Sequence, residues 1–472
     1  NKQTDSIVYN VLKSTAAETN GFLGSESNAN TNIKAIQRQN IDNVKFVNSI
    51  PSSIYNKSRN EIVNTATTWD VSAQGDNSIL AWFTKNSNGS YQVNIGSDYE
   101  IFGNQNSKYL FRTIGYSDKC TSTETITNLN LLNVSNVTNM YGMFEKTGFT
   151  AMTKLDLGNN FNTKSATDMT CMFYDTGNKK MTTLNLGSNF NTINVTLMQT
   201  MFCGTGYNEL TSLDLGDKFD TRNVKDMIHM FKGLGYFKLQ TLNLGDKFDT
   251  SNVFSMYEMF RYTGANALTS LNLGDKFDTS NVTNMYGMFS WAAHKITSFT
   301  VGNKFNTSKV TNMEAMFLGL GHDNMTSLNL GDKFDTSNVT NMREMFLYTG
   351  SNKLTSLDLG DKFNTSKVTD MYSMFGSCGS TAMTSLDLGP AFTVIPTNYI
   401  SQEVTAIEGE KIAPHYAYAN MFNNTGKSGT ITIYAPEAIY QDKNNFKANT
   451  NTTTSVVNYT RGTINAKYRT EW

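Results

Sequence analysis

The residues with chemistry to offer stand in columns. Asp156, Asn185, Asp214, Asn243, Asn272, Thr300, Asn329, Asp358 and Asp387 each lie between two apolar residues and recur every 28 or 29 positions. On a strand, a polar residue so flanked points away from the core, and stacked strands lie about 4.8 Å apart. The column therefore reads as an outward polar ladder, with Ser212, Ser270, Ser327, Ser356 and Ser385 beside it. Such a ladder can hydrogen-bond sugar hydroxyls or a protein backbone, which makes Asp214, Asn243, Asn272, Asn329 and Asp358 candidate ligand-binding residues. The competing reading is a face kept polar for solubility.

Two further columns have plainer explanations. Asp217, Asp246, Asp275, Asp332 and Asp361 are each followed by Lys. Stacked carboxylates attract calcium, but the adjacent lysines neutralise them, so neither metal nor cofactor is expected. Asp220, Asp249, Asp278 and Asp335 exchange freely with Asn162, Asn191, Asn306 and Asn364, as Asx turns and caps allow. His229, His294, His322 and His415 read as scattered over different phases of the repeat, with no HExxH, nucleophile elbow or phosphate-cradling loop. An enzyme is not expected. Trp291 stands where Trp291-Ala-Ala-His294 replaces a glycine-containing loop; it is either a recognition residue or a packing repair.

The frame that positions these columns is set by a Met-Phe pair. It ends at Phe144, Phe173, Phe202, Phe231, Phe260, Phe289, Phe317, Phe346 and Phe375, at intervals of 29 with a single 28. Such a period marks stacked units that bury their apolar faces against one another. In the unit Leu268 to Phe289, L-x-x-L-x-L reads as a short strand. Val282, Met285, Met288 and Phe289, spaced three, three and one, fall on one face of a short helix. Gly148, Gly235 and Gly350 are placed to end such helices. The expected fold is a leucine-rich-repeat-like solenoid, a short parallel strand plus a short helix per 29-residue unit, with β-rich N- and C-terminal caps.

The expected organisation is a flexible or partner-contacting arm over 1–65, a β-rich cap over 66–125 and an array of about nine units over 126–389. A degenerate last repeat over 390–435 follows, because Phe422 arrives 47 residues after Phe375, an insertion of 18. Residues 436–472 read as a β-rich cap or the start of another module. The net charge of -1 and charged fraction of 17% leave no basic footprint for nucleic acid. No apolar run reaches the roughly 20 residues of a membrane-spanning helix, so no membrane insertion is expected. Cys120, Cys171, Cys203 and Cys378 do not form a disulfide framework by their spacing; Cys378 takes the slot of Thr147, Thr176, Thr205, Thr263 and Thr349.

The strings FDTSNVTNMYGMF (Phe277 to Phe289), FDTSNVTNMREMF (Phe334 to Phe346) and LNLLNVSNVTNMYGMF (Leu129 to Phe144) resemble the BspA-like leucine-rich repeats of bacterial cell-surface proteins and lipoproteins. The likeness covers about Leu129 to Leu388, and this chain departs from it by an extra Gly-Asp-Lys or Gly-Asn-Lys turn. It implies export to the surface of a bacterium, or secretion, and adhesion to a host or microbial protein or glycan. The alternative is a self-assembling filament or surface-layer subunit that uses residues 1–65 and 430–472 for its contacts.

Overall fold

The computed structural model describes residues 10–13, 36–393, 399–426, 431–441, 444 and 457–461. They belong to two compact units, Asn1–Asn223 with Asn243–Lys247, and Val224–Leu242 with Phe248–Trp472.

Both units are built from the repeat. In the first, Lys154–Asp156 and Thr183–Asn185 are short strands; in the second, Ser298–Thr300, Ser327–Asn329, Ser356–Asp358 and Ser385–Asp387 are. They pair in parallel and in step, Leu155 beside Leu184, Phe299 beside Leu328 and Leu357 beside Leu386. The middle residue of each strand is buried. Alternation then forces the serines and the Asp/Asn column outward.

The helix expected in every unit is absent, and the backbone shows why. Met140, Gly142, Phe144 and Lys146 donate their N–H groups to Asp168, Thr170, Met172 and Tyr174 of the following repeat. The residues between, Met143, Glu145 and Thr147, donate three positions back, to Met140, Gly142 and Phe144. An α-helix keeps all these bonds within itself; here each rung is a chain of tight turns bonded sideways. The turns need left-handed residues, and Gly142, Lys146 and Gly148 take φ of 55°, 55° and 59°. The same three slots recur around Phe346 at Glu344, Tyr348 and Gly350. Left-handed residues at this density are incompatible with a helix of L-amino acids. Among the described residues, α-helix is confined to the segment beginning at Glu437.

The apolar side chains nevertheless end up inside. Val282, Met285, Met288 and Phe289 are all 0% exposed. Phe144, Phe173 and Phe202 stack at 5.4 and 5.3 Å in the first unit. In the second, Phe231 and Phe260 stack at 5.3 Å and Phe346 and Phe375 at 5.5 Å. A second file, Phe277, Phe305, Phe334, Phe363 and Phe392, runs at 6.3 to 6.4 Å. Burying each ring contributes about 1.5–3 kcal/mol, and stacking adds about 0.5–1.5 kcal/mol.

Buried hydroxyls tie rung to rung. Thr176 Oγ1 donates to the Phe144 carbonyl at 2.6 Å, and Thr349 Oγ1 to that of Phe317 at 2.7 Å. Cys378, in the equivalent slot, is fully buried; all four cysteines are free.

The turn rungs extend past the Met-Phe pairs at both ends. Residues 107–113 form one without the motif, Phe111 donating to the Met143 carbonyl and stacking on Phe144 at 5.3 Å. After the insertion, Phe422 resumes the file on Phe375 at 5.6 Å.

The N-terminal β-rich region is a five-stranded sheet in the order Thr68–Asp70, Leu80–Lys85, Tyr91–Gly96, Ile41–Val47, Ile126–Thr127. Part of the segment expected as an arm over 1–65 is thus built in, because Ile41–Val47 lies inside the sheet, parallel to both neighbours. Its Ile41, Val44 and Phe46 are buried, which an arm would not do. Residues 1–9 and 14–35 lie outside the described residues. At the other end Ile431–Ala435 pairs in parallel with Ser385–Asp387 and with Val457–Arg461; 462–472 lie outside.

Candidate functional site: two faces of the repeat

The strand face carries the predicted ladder. Asp214 and Asn243 in the first unit, and Asn272, Asn329 and Asp358 in the second, are all exposed. Each has a structural task as well. The side-chain oxygens of Asp214, Asn243, Asn272, Asn329 and Asp358 accept the N–H of Gly216, Gly245, Gly274, Gly331 and Gly360 at 2.8 to 3.1 Å. That Asx turn bends the chain out of the strand, and it explains the preference for Asp or Asn without a ligand. What remains for recognition is the other half of each head group. The Asn243 amide donates sideways to Asp214 at 3.2 Å. The amides of Asn272 and Asn329 have no partner among the described residues.

The column containing Asp278, Asp335 and Asn364 makes Asx turns with Ser280, Ser337 and Ser366 at 2.9 Å. Among the described residues, no three His, Cys, Asp or Glu side chains are gathered to hold a metal ion.

Trp291 sits on the turn face, in a left-handed slot with φ 53°. Its ring packs flat on Gly319, where a Cβ would come within 2.3 Å, and stacks on Tyr348 at 5.7 Å. The structure therefore gives Trp291 a packing role in the shortened loop and leaves its ring half-buried. His294 and His322 are five residues after their phenylalanines, hence in phase, and lie side by side at 6.0 Å. His322 Nδ1 meets Asp323 at 2.8 Å, and Lys295 meets the other oxygen at 2.8 Å. Burial pushes the His294 imidazole below its usual pKa, against the pull of Asp323.

Sequence reading missed a run of charge on this face in the second unit. Glu258, 3% exposed, sits between His229 at 3.1 Å, Lys232 and Arg261 at 2.7 Å. Burial opposes its ionisation, but hydrogen bonds from His229 and Lys232 and the Arg261 charge outweigh it and hold the carboxyl down at about 2. Arg343 pairs with Glu314 and reaches Asp370 at 3.5 Å. Glu344 is 5% exposed; burial, reinforced by Glu314, Glu410 and Glu408, raises it to about 7 against the pull of Arg343. The signal available in the sequence was variation: the two residues between the methionines change from Tyr-Gly to Tyr-Glu, Glu-Ala and Arg-Glu while the strand columns hold.

No curated protein and no solved structure matches the chain. Residues 115–212, 205–320 and 294–387 each match one family, described as a Mycoplasma protein of unknown function, DUF285. Those three overlapping stretches cover the Met-Phe repeats from 115 to 387, more than half of the 472 residues, and the chain belongs to the DUF285 family.

Proposed function

We propose that the chain is a non-enzymatic interaction protein of a bacterial surface or secretome, a repeat solenoid that presents its strand face to a protein or glycan partner. The supporting observation is the in-step ladder. Outward serines and Asx head groups recur at strand spacing, and the Asn272 and Asn329 amides remain uncommitted. The likeness of the FDTSNVTNM phrase to BspA-like surface repeats supports the same reading.

The test must spare the Asx turns. Ser327→Lys with Ser356→Lys alters the exposed face and leaves the Asn329 and Asp358 oxygens on their glycines. On glycan and matrix-protein arrays, at least tenfold weaker binding is expected; undiminished binding moves the site elsewhere.

Self-assembly through the ends is a second reading, favoured by one observation. Val457–Arg461 is the last strand of its sheet among the described residues, and a free strand edge is a template for another chain. Sedimentation velocity of the full chain, with and without residues 457–472, tests it; a single species in both sinks it.

A further inference from the structure

The insertion between Phe375 and Phe422 is not needed by the array, whose phenylalanine file closes across it. Part of it is a small hairpin, Val404–Thr405 antiparallel to Lys411–Ile412. Its tip is closed by bonds from Ala406 N–H to Glu410 and from Gly409 N–H to Ala406. This tip lies on the turn face of the second unit, at residues far away in sequence and specialised to receive it.

Three contacts make the seat. Gly287 occupies a left-handed slot that carries Glu258 in the preceding rung and Ala315 in the following one. A Cβ at Gly287 would come within 2.5 Å of Ile407 Cδ1, so the missing side chain is the hole that Ile407 fills. On one side, Arg261 Nη2 donates to Glu408 Oε1 at 2.9 Å and to the Ile407 carbonyl at 3.3 Å, while the Tyr262 hydroxyl donates to Glu408 Oε2 at 2.6 Å. On the other, Arg343 Nη2 donates to the Thr405 carbonyl at 3.3 Å. An aliphatic residue followed by a carboxylate, on a tight turn, is what the face recognises.

The seat has partners of its own. Arg261 also pairs with Glu258, and Arg343 with Glu314 and Asp370, contacts in which the hairpin takes no part. The occupant is lightly held, with two residues per strand and Glu408 41% exposed. Two-stranded hairpins of this size are marginal alone. We propose that the turn face from Arg261 to Arg343 is a docking site for an acidic reverse turn of a partner protein, covered in this structure by the chain's own hairpin. The inference stands apart from the strand-face reading, since it uses turn residues and none of the strand column. The Arg261 guanidinium on one oxygen of the Glu408 carboxylate, with the Tyr262 hydroxyl on the other, supplies the charge specificity.

The probe is a fluorescent, backbone-cyclised peptide of residues Glu403 to Ile412, titrated into the full chain and into the full chain carrying Ile407→Asn with Glu408→Arg. The uncovered variant is expected to bind at least tenfold more tightly than the native chain, and the same peptide with Glu408→Arg is expected not to bind. Equal affinity of the two chains, or no binding by either, overturns the proposal. Should the variant misfold, hydrogen exchange of the native chain decides. Saturating peptide must speed exchange at Val404 to Ile412, and unchanged exchange there overturns it.

Discussion

The two sides of the repeat follow opposite rules. On the strand side, successive units repeat nearly the same residues, Ser-Leu-Asn or Ser-Leu-Asp, and each polar head group is half occupied by its own Asx turn. On the turn side the left-handed slot two residues before Phe holds Gly142, Cys171 and Thr200 in the first unit, and His229, Glu258, Gly287, Ala315, Glu344 and Ser373 in the second. Uniformity serves the ladder of backbone and leucine, while some of the variation accompanies contacts peculiar to one rung, as at Glu258, Gly287 and Arg343. The strand side is therefore the frame, and the turn side is where one rung is told from another.

The largest expected effect is one that both sides share. Phe334→Ala empties the second phenylalanine file between Phe305 and Phe363, and should lower unfolding free energy by about 3–5 kcal/mol in urea titration. An unchanged midpoint would remove the core from the comparison altogether.

Glycines separate the sides more finely. Gly350, on the turn side at φ 50°, has Leu354 Cβ 2.6 Å from where its own Cβ would stand, whereas Gly360, after the strand at φ 84°, has nothing within 4 Å. Gly350→Ala should cost about 2–3 kcal/mol, from backbone strain and overpacking together, and Gly360→Ala about 1 kcal/mol from strain alone. Equal costs would mean that the turn side is no tighter than the strand side.

Glu344 gives the turn side a pH dependence, whereas the strand column at Asn272, Asn329 and Asp358 is exposed. Its folded pKa of about 7 lies above the ordinary glutamate value of 4.5. Its contribution is therefore fully present below about pH 4.5 and is lost as pH rises through about 7. Glu344→Gln should leave stability unchanged at pH 4 and raise it by about 2 kcal/mol at pH 8. A gain independent of pH would assign the effect to packing instead.

The smallest effect belongs to the outer strand face. Ser327→Ala is expected to shift stability by less than about 0.5 kcal/mol, measured in the same urea series. A larger loss would show that the outward serines hold the ladder together.

Much of this contrast was legible before any coordinates. The Met-Phe period located the units and the core, and L-x-L located the strands in most units, because burial alternation leaves a direct trace in residue type; in the unit of Leu271 and Leu273 the leucines are buried but the segment is not a strand. The helix was misread for a physical reason. Val282, Met285, Met288 and Phe289 have a spacing that consecutive three-residue turns produce as readily as a helix does. The distinguishing trace was the glycine at Gly142 and Gly287, inside what should have been a helical turn, where glycine is disfavoured. The polar ladder was placed correctly on the outside, but its Asx bonds were not foreseen for that column. The seat at Arg261, Gly287 and Arg343 was beyond reach, since Arg261 and Glu408 meet across 147 residues and neither carries a pattern that names the other.

The sideways bonding of the turn rungs has a genetic corollary. Because Phe317, Met313 and Ala315 all donate to the residue just before their equivalent one repeat on, at Met345, Asn341 and Arg343, the bonding is defined by phase rather than by position. A gene that gains or loses one whole unit by unequal recombination changes how many rungs are present without disturbing how any rung is satisfied. A hairpin rooted after the last unit would then fall on a different rung wherever a unit is gained or lost between Arg261 and Phe375.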